Sequence, residues 1–310
     1  MEYNISILKD ISRLPEIVEL FKTGLGDTTT QFWEWRLFAN NGQQDKPFAI
    51  IAEDKNGKIV AMSSILTAVY GKEKPYKCLQ LCDWVVHPEY RGKGLIGAIY
   101  RFVCDYFKNK EYDFIIEFPN EMSYPIFKKY NFIEENTIPS FNSSKNIFKH
   151  KFIEKSITHN GINLLFSKNC PFSDESFSYD NRLKRNAEFL IWKFDKNPVT
   201  KYHWLSLWQN DTCIGYFVFA LHTGRIQTAV NVYDWEFFST DTNLLKFALK
   251  QLKSFGNYVS IWGKYPENVV KLLLKSGLKQ KNEGTKFVHL SLSEKPFPKD
   301  LILTRIDTDY

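Results

Sequence analysis

The sequence predicts an α/β chain built as two tandem units, each a mixed central sheet flanked by helices. Three observations predict it. Apolar strand-like runs dominate the middle of each half, with helical periodicity at the flanks. A basic, glycine-rich turn joins one of those strands to a helix in the first half. Short echoes of the first half recur in the second in the same order, which points to two copies of one unit. At 310 residues the chain has room for two domains of ordinary size. Its 44% hydrophobic and 25% charged residues exclude a disordered chain.

Taken in order, the first half reads as helix, meander of strands, helix, strand, helix, strand. Runs 48–53, 59–66 and 77–86 are strand candidates, and Lys55-Asn56-Gly57-Lys58 supplies a turn between the first two. The third strand runs into His87-Pro88-Glu89-Tyr90-Arg91-Gly92-Lys93-Gly94-Leu95-Ile96-Gly97. Its glycines permit backbone dihedrals closed to other residues, and the first N–H groups of the helix behind it point at any incoming anion. Arg91 and Lys93 add positive charge. Ile99, Phe102, Val103, Tyr106 and Phe107 then recur at helical spacing. Residues 114–118 read as a strand, followed by Asn120-x-x-Ser123-x-x-x-Phe127-x-x-x-Asn131-Phe132. In the second half, runs 203–207, 215–221 and 258–263 read as strands.

The turn at residues 87–97 resembles the acetyl-CoA signature Q/R-x-x-G-x-G/A of the GCN5-related N-acetyltransferases (GNATs). The segment from Asn120 to Phe132 is similar to that family's N-x-x-A-x-x-x-Y-x-x-x-G-F. The resemblance implies an acyltransferase fold with acetyl-CoA as co-substrate. It also implies pyrophosphate contacts from Arg91, Gly92, Lys93, Gly94, Leu95, Ile96 and Gly97, and a pantetheine arm flanked by Asn120, Ser123 and Phe127. Oxyanion donors are implied at the backbone N–H groups of Val85 and Val86. Two positions depart from the pattern. Ile96 stands where glycine or alanine is usual, and Phe127 replaces the tyrosine that often protonates the leaving thiolate.

Comparison of the halves extends this reading. Phe32-Trp33-Glu34-Trp35-Arg36 is echoed by Phe189-Leu190-Ile191-Trp192-Lys193, and Asn56 to Val60 by Asp211 to Gly215. Cys82-Asp83-Trp84 is echoed by Tyr233-Asp234-Trp235, and Ser123 to Phe132 by Val269 to Leu278. From Asp83 to Tyr112 is 29 positions, whereas from Asp234 to Tyr258 is 24. The missing piece is the glycine turn. In its place Glu236-Phe237-Phe238-Ser239-Thr240-Asp241 carries acidic residues and no glycine, and would repel a pyrophosphate. The expected division is 1–150, an acetyl-CoA-binding GNAT domain, and 151–310, a GNAT-like domain without the pyrophosphate loop.

Acetyl transfer to an amine needs a base, a polarised carbonyl and a proton for the thiolate. Asp83 and Glu117 are the candidate bases, with the alternative that each is a structural partner of Arg36 or Arg101. Tyr124 and Tyr130, three residues either side of Phe127, are the candidate acids. Trp33, Trp35, Trp84, Tyr70 and Tyr76 are expected to line the acceptor site, with Asp234, Trp235 and Trp262 from the second half. Asp307 and Asp309 lie close enough to the chain end to reach a shared cleft. These aromatic faces favour a small-molecule amine, with an amino sugar as first choice.

Five cysteines form no CxxC pair, which favours buried free thiols, and no metal is expected. The net charge of +6 is spread along both halves, so neither nucleic acid nor membrane is expected as partner. No run of eighteen apolar residues and no signal peptide stand out, so a cytoplasmic monomer or homodimer is expected. Two alternatives remain open: a Fem-type aminoacyltransferase, which would need a basic track for tRNA, and a non-catalytic acyl-CoA-binding sensor.

Overall fold

The computed structural model describes residues 3–39, 48–108, 110–147, 150–173, 176–177 and 181–308. In the first half the strands are β1 (Asn4–Ile7), β2 (Phe48–Glu53), β3 (Ile59–Tyr70), β4 (Tyr76–Val86), β5 (Phe114–Glu117), β6 (Ile133–Glu134) and β7 (Ile138–Asn142). The helices there are α1 (Leu14–Gly24), α2 (Thr30–Trp33), α3 (Leu95–Phe107) and α4 (Tyr124–Lys129). The second half opens with β8 (Lys155–His159), β9 (Ile162–Ser167), β10 (Ser176–Phe177) and β11 (Arg185–Asn186). It continues with β12 (Tyr202–Gln209), β13 (Thr212–Thr223), β14 (Thr228–Phe237) and β15 (Tyr258–Lys264), and ends with β16 (Lys279–Thr285), β17 (Val288–Ser291) and β18 (Leu303–Thr304). Its helices are α5 (Ala187–Leu190), α6 (Thr242–Lys253) and α7 (Glu267–Lys275).

Apart from the antiparallel pair β10–β11, these strands form two mixed sheets flanked by helices. The first is ordered β1-β2-β3-β4-β5-β17-β6 and the second β16-β7-β15-β14-β13-β12-β9-β8. Each contains an antiparallel meander followed by one parallel step, β4 to β5 and β14 to β15, with α3 or α6 as the crossover. The sheets do not divide at residue 150. Strand β7, from before it, lies in the second sheet, and β17, from after it, lies in the first between β5 and β6. Each half therefore completes the other's sheet.

The echoed segments fold alike. Thr29 caps α2 by accepting from the Phe32 N–H at 3.1 Å, and Asn186 caps α5 by accepting from the Phe189 N–H at 2.8 Å. Both helices then widen into a π-helical turn, Glu34–Phe38 and Ile191–Asp195. The two turns meet at a local pseudo-twofold. The Trp35 and Trp192 rings stack with centroids 5.1 Å apart, and each indole N–H donates to the other's backbone carbonyl, at 2.8 and 2.9 Å. The contact satisfies both indoles and buries both rings, so it fixes the halves in orientation as well as in proximity.

Candidate active site

β4 and β5 pair for only two residue pairs, Cys78 with Phe114 and Leu79 with Ile115. Beyond them the strands separate around a cleft of about 890 Å³. The separation begins at a bulge. The β3–β4 register shifts between Met62 and Ser64, and Asp83 adopts a left-handed backbone with φ 52°. Its carboxylate is held there by the Arg36 Nε and Nη2 at 3.1 and 3.0 Å and by the Ser64 hydroxyl. Asp83 thus lines the cleft as the buried Arg36's counter-ion, the structural role weighed above, rather than as a free base.

The outer end of the cleft is the glycine turn. Gly92 and Gly94 have φ of 75° and 78°, and Gly94 leads directly into α3 with no side chain capping the helix. The first N–H groups of a 13-residue helix are left for an anion, with Arg91, Gly92, Gly94, Leu95 and Ile96 around them. Arg91 also staples this end, donating to the carbonyls of Gly24 at 2.7 Å and Val86 at 3.3 Å. Lys93 does not line the cleft; its ammonium sits 4.7 Å from the Tyr90 ring centroid. Gly97 does not line it either. It faces α4, where an added Cβ would lie 2.0 Å from the Tyr130 hydroxyl. The late glycine therefore serves helix packing, and Ile96 takes the cleft-facing position.

At the inner end stand Gln80, Leu81, Glu117 and Phe118. Glu117 is 4% exposed and accepts the Leu81 N–H at 2.6 Å. Burial pushes its carboxyl well above the usual carboxylate range, the one hydrogen bond opposing this. The oxyanion donors are decided by the ladder. His87 donates its N–H to Val60 of β3 at 2.9 Å, and Val85, two residues back and opposite Met62, turns the same way. Val86 alternates to the opposite side, so of the two expected donors Val86 alone is turned towards the cleft.

The side wall comes from the second signature. The Asn120 side chain accepts from the N–H groups of Met122 and Ser123 at 3.0 and 2.9 Å, which turns the chain into α4. Asn120, Ser123 and Phe127 all line the cleft, Phe127 with its ring 5.3 Å from Trp84. Tyr124 and Tyr130 do not line it. Tyr124 donates to Glu134 beneath the Lys286 ammonium, and Tyr130 packs on Tyr100 at 4.2 Å. Neither expected acid is placed to meet a thiolate in the cleft.

Most of the expected acceptor wall is core. Trp33 is fully buried, Trp35 stacks on Trp192, and Trp262 is buried with its indole N–H on Thr285. Tyr76 packs on Phe114. Trp84 lines the cleft, and Tyr70 lines a separate small cavity between the halves. Asp307 shares that cavity, while Asp309 lies outside the described residues.

The second copy is closed at the corresponding place. Asp234 is fully buried, bound by Arg182 at 3.1 Å, by Arg185 and by the Tyr216 hydroxyl at 2.7 Å. Trp235 is buried where β14 and β15 diverge, its indole N–H on the Tyr265 hydroxyl at 2.9 Å. Neither residue lines the cleft, which corrects their assignment to the acceptor site. At α6 the Asp241 carboxylate caps the helix, accepting from Asn243 and Leu244 at 2.8 and 3.2 Å. A helix start that holds its own carboxylate has neither free N–H groups nor the field to attract a phosphate.

A strand-splayed cleft ending in a glycine turn defines the class. Residues 8–133 match the family model of the acetyltransferase (GNAT) domain. The N-terminal half is thus a GNAT domain, in a chain with the fold of tandem GNAT proteins. Among solved structures, a GCN5-related N-acetyltransferase from Anabaena variabilis is 11% identical with a TM-score of 0.64, covering 94% of this chain and 73% of its own. One from Kribbella flavida is 12% identical with a TM-score of 0.57, over 94% and 72%. A tandem GNAT protein from the clavulanic acid biosynthesis pathway is 10% identical with a TM-score of 0.55, over 95% and 100%. No curated sequence is similar enough to count as a relative. No helix among the described residues is long and apolar enough to cross a membrane.

Proposed function

We propose that the chain is an N-acyltransferase that moves an acetyl group from acetyl-CoA directly to the primary amine of a small molecule, using the N-terminal cleft alone. One observation carries the reading: a single cleft joins an uncapped helix start, suited to a pyrophosphate, to a buried carboxyl and an outward backbone N–H at its inner end. The pyrophosphate lies on the amides after Gly94 and the pantetheine arm between β4 and α4. The thioester then reaches Val86 and Glu117. The amine nitrogen attacks the carbonyl carbon, and the Val86 N–H supports the oxyanion. The C–S bond breaks as the C–N bond forms. Glu117, ionised, takes the proton from the amine directly or through water. Phe127 donates no proton, so the thiolate is protonated by solvent or by the nitrogen of the tetrahedral intermediate as it becomes the neutral amide. Of the aromatic residues that favoured an amino sugar, Trp84 remains in the cleft, and the amino sugar is kept as one member of the amine class.

A panel of primary amines with acetyl-CoA, reading free thiol, tests the reaction. Acetyl-CoA should raise the melting temperature of the wild type and of Ser239→Glu but not of Gly94→Glu. A retained shift in Gly94→Glu would place the cofactor elsewhere. Glu117→Gln should lose about 10²–10⁴-fold in rate at neutral pH and recover in part at high pH, where free amine is abundant. A pH-independent loss would point to structural damage. The Phe127 substitution favours one second reading, an acyl-CoA sensor, for which acetyl-CoA would bind with no thiol released from any amine.

A further inference from the structure

The cleft opens through the first sheet, and the two faces of that sheet are covered differently. α3 and α4 cover one face, where Leu95, Ile99 and Phe127 pack with Ile50 and Ala52 of β2 and Trp84 leans on the same cluster. α1 covers the other, where Ile17 and Leu20 pack with Ala49 and Ile51, the alternate residues of β2. β5 alternates in the same way: Ile115 faces α3, whereas Phe114 and Ile116 face the second half, on the α1 side of the sheet. With the pantetheine arm on the α4 side, an amine that attacks the thioester reaches it from the α1 side.

On that side the cleft is lined by Leu25 just after α1, by Asp83 on β4 and by Phe118 just after β5. Leu25 is 64% exposed, an apolar side chain left open beside the cleft. Phe118 is fixed from behind by Phe287 and Trp262, with ring centroids 5.2 and 5.8 Å away. The three hydrogen bonds that hold Asp83, two from Arg36 and one from Ser64, all fall on its Oδ2. Its Oδ1 accepts none among the described residues, although the side chain lines the cleft and is 19% exposed. Of the other charged residues that line the cleft, Arg91 is held at the outer end on the Gly24 and Val86 carbonyls, and Glu117 is the candidate base. Among the described residues, the α1 side thus offers one open carboxylate oxygen and two apolar surfaces, with no lining cation at the inner end to take an acid group.

We propose that the acceptor is a primary amine on an alkyl or aryl body without an acid group, held by its ammonium on Asp83 Oδ1 and by its body against Leu25 and Phe118. Asp83 is then a residue that determines specificity, while Glu117 remains the base. One carboxylate can serve two cations, because Arg36 occupies only one of its oxygens. An apolar body gains by covering Leu25, whereas a polyol would give up its water there for surfaces that return no hydrogen bond. A carboxylate next to the amine would meet Asp83 as a like charge. This deepens the acyltransferase reading and rests on it for the fate of the amine, but not for the binding of the amine.

Calorimetry with CoA present compares phenethylamine and hexylamine with glucosamine, phenylalanine and 2-phenylethanol, which change in turn the body, the acid group and the ammonium. At least one of the two amines should bind the wild type about tenfold or more tighter than each of the three others. The margin over 2-phenylethanol should vanish in Asp83→Asn. If that variant fails to fold, Asp83→Asn joined to Arg36→Met replaces it, since the ion pair is then removed as a whole. Leu25→Ser, at an exposed position, should weaken the amine by about threefold or more. No binding of either amine, equal binding of glucosamine or phenylalanine, a margin over the alcohol that survives the loss of the Asp83 carboxylate, or unchanged binding in Leu25→Ser overturns the proposal. Thiol release with acetyl-CoA is read in parallel. Amine binding in the expected pattern with no thiol released from any amine overturns the acyltransferase reading alone. Turnover of glucosamine with no turnover of either apolar amine overturns this inference alone.

Discussion

At the scale of single residues, the glycine turn was legible because its meaning is local. Glycine spacing sets the dihedrals of Gly92 and Gly94 whatever packs around them. Asp83 stood between two roles, base or partner of Arg36, and only the fold decides for the second, while Trp35 and Asp234 were placed in the acceptor wall because their partners, Trp192 for one and Arg182 and Arg185 for the other, are distant in sequence. Lys193 was not singled out at all. Its one signal was the echo of Arg36, and the engagement of Asp234 by Arg182 and Arg185 instead shows only in three dimensions. Burial, then the nearby Arg36 guanidinium, pulls the Lys193 ammonium from 10.5 down to about 8. The unfolded chain therefore keeps this proton up to higher pH than the folded one. The penalty is complete below pH 8 and is relieved as pH rises towards 10.5. Lys193→Met should stabilise the protein at pH 7 by on the order of 3 kcal/mol, with the gap closing across that window. Parallel denaturant titrations of both chains at several pH values read this, and a gap independent of pH would mean that Lys193 keeps its proton in the fold as readily as in the unfolded chain.

At the scale of elements, the strands around the cleft matched their apolar runs: 48–53 is β2, and 77–86 is β4 but for its first residue. The helix pair α3 and α4 shows what a pattern conceals. The glycine at position 97 reads as a displaced member of the phosphate turn, yet it is the notch that admits the Tyr130 hydroxyl. Tyr130 has little room to retreat, because its other face lies on Tyr100. Gly97→Ala should cost about 1–3 kcal/mol through overpacking. Tyr130→Phe removes the atom in the way, so the double variant should recover most of that loss. Thermal melts of the four chains of this cycle measure the coupling, and strict additivity would show that the two residues do not meet.

At the scale of the whole molecule, the tandem architecture was legible from ordered echoes, but the exchange of β7 and β17 was not. A four-residue strand such as Val-His-Leu-Ser carries no address, and its place is set by the open edge it fills. β17 pairs Val288 with Glu117 and His289 with Ile116, so the strand bearing the candidate base is held by the far end of the chain. Residues 1–150 alone would lack β17 and the Trp192 stack, and should show no cooperative melting and no acetyl-CoA-dependent shift. A folded fragment that binds acetyl-CoA would show the exchange to be dispensable. The same topology sets a schedule for synthesis. Every residue that lines the cleft is translated before residue 128, yet β5 keeps an unpaired edge until residue 291 has emerged. The nascent chain thus carries the strand of the candidate base with one edge open from residue 117 until residue 291, the kind of edge that neighbouring chains can capture.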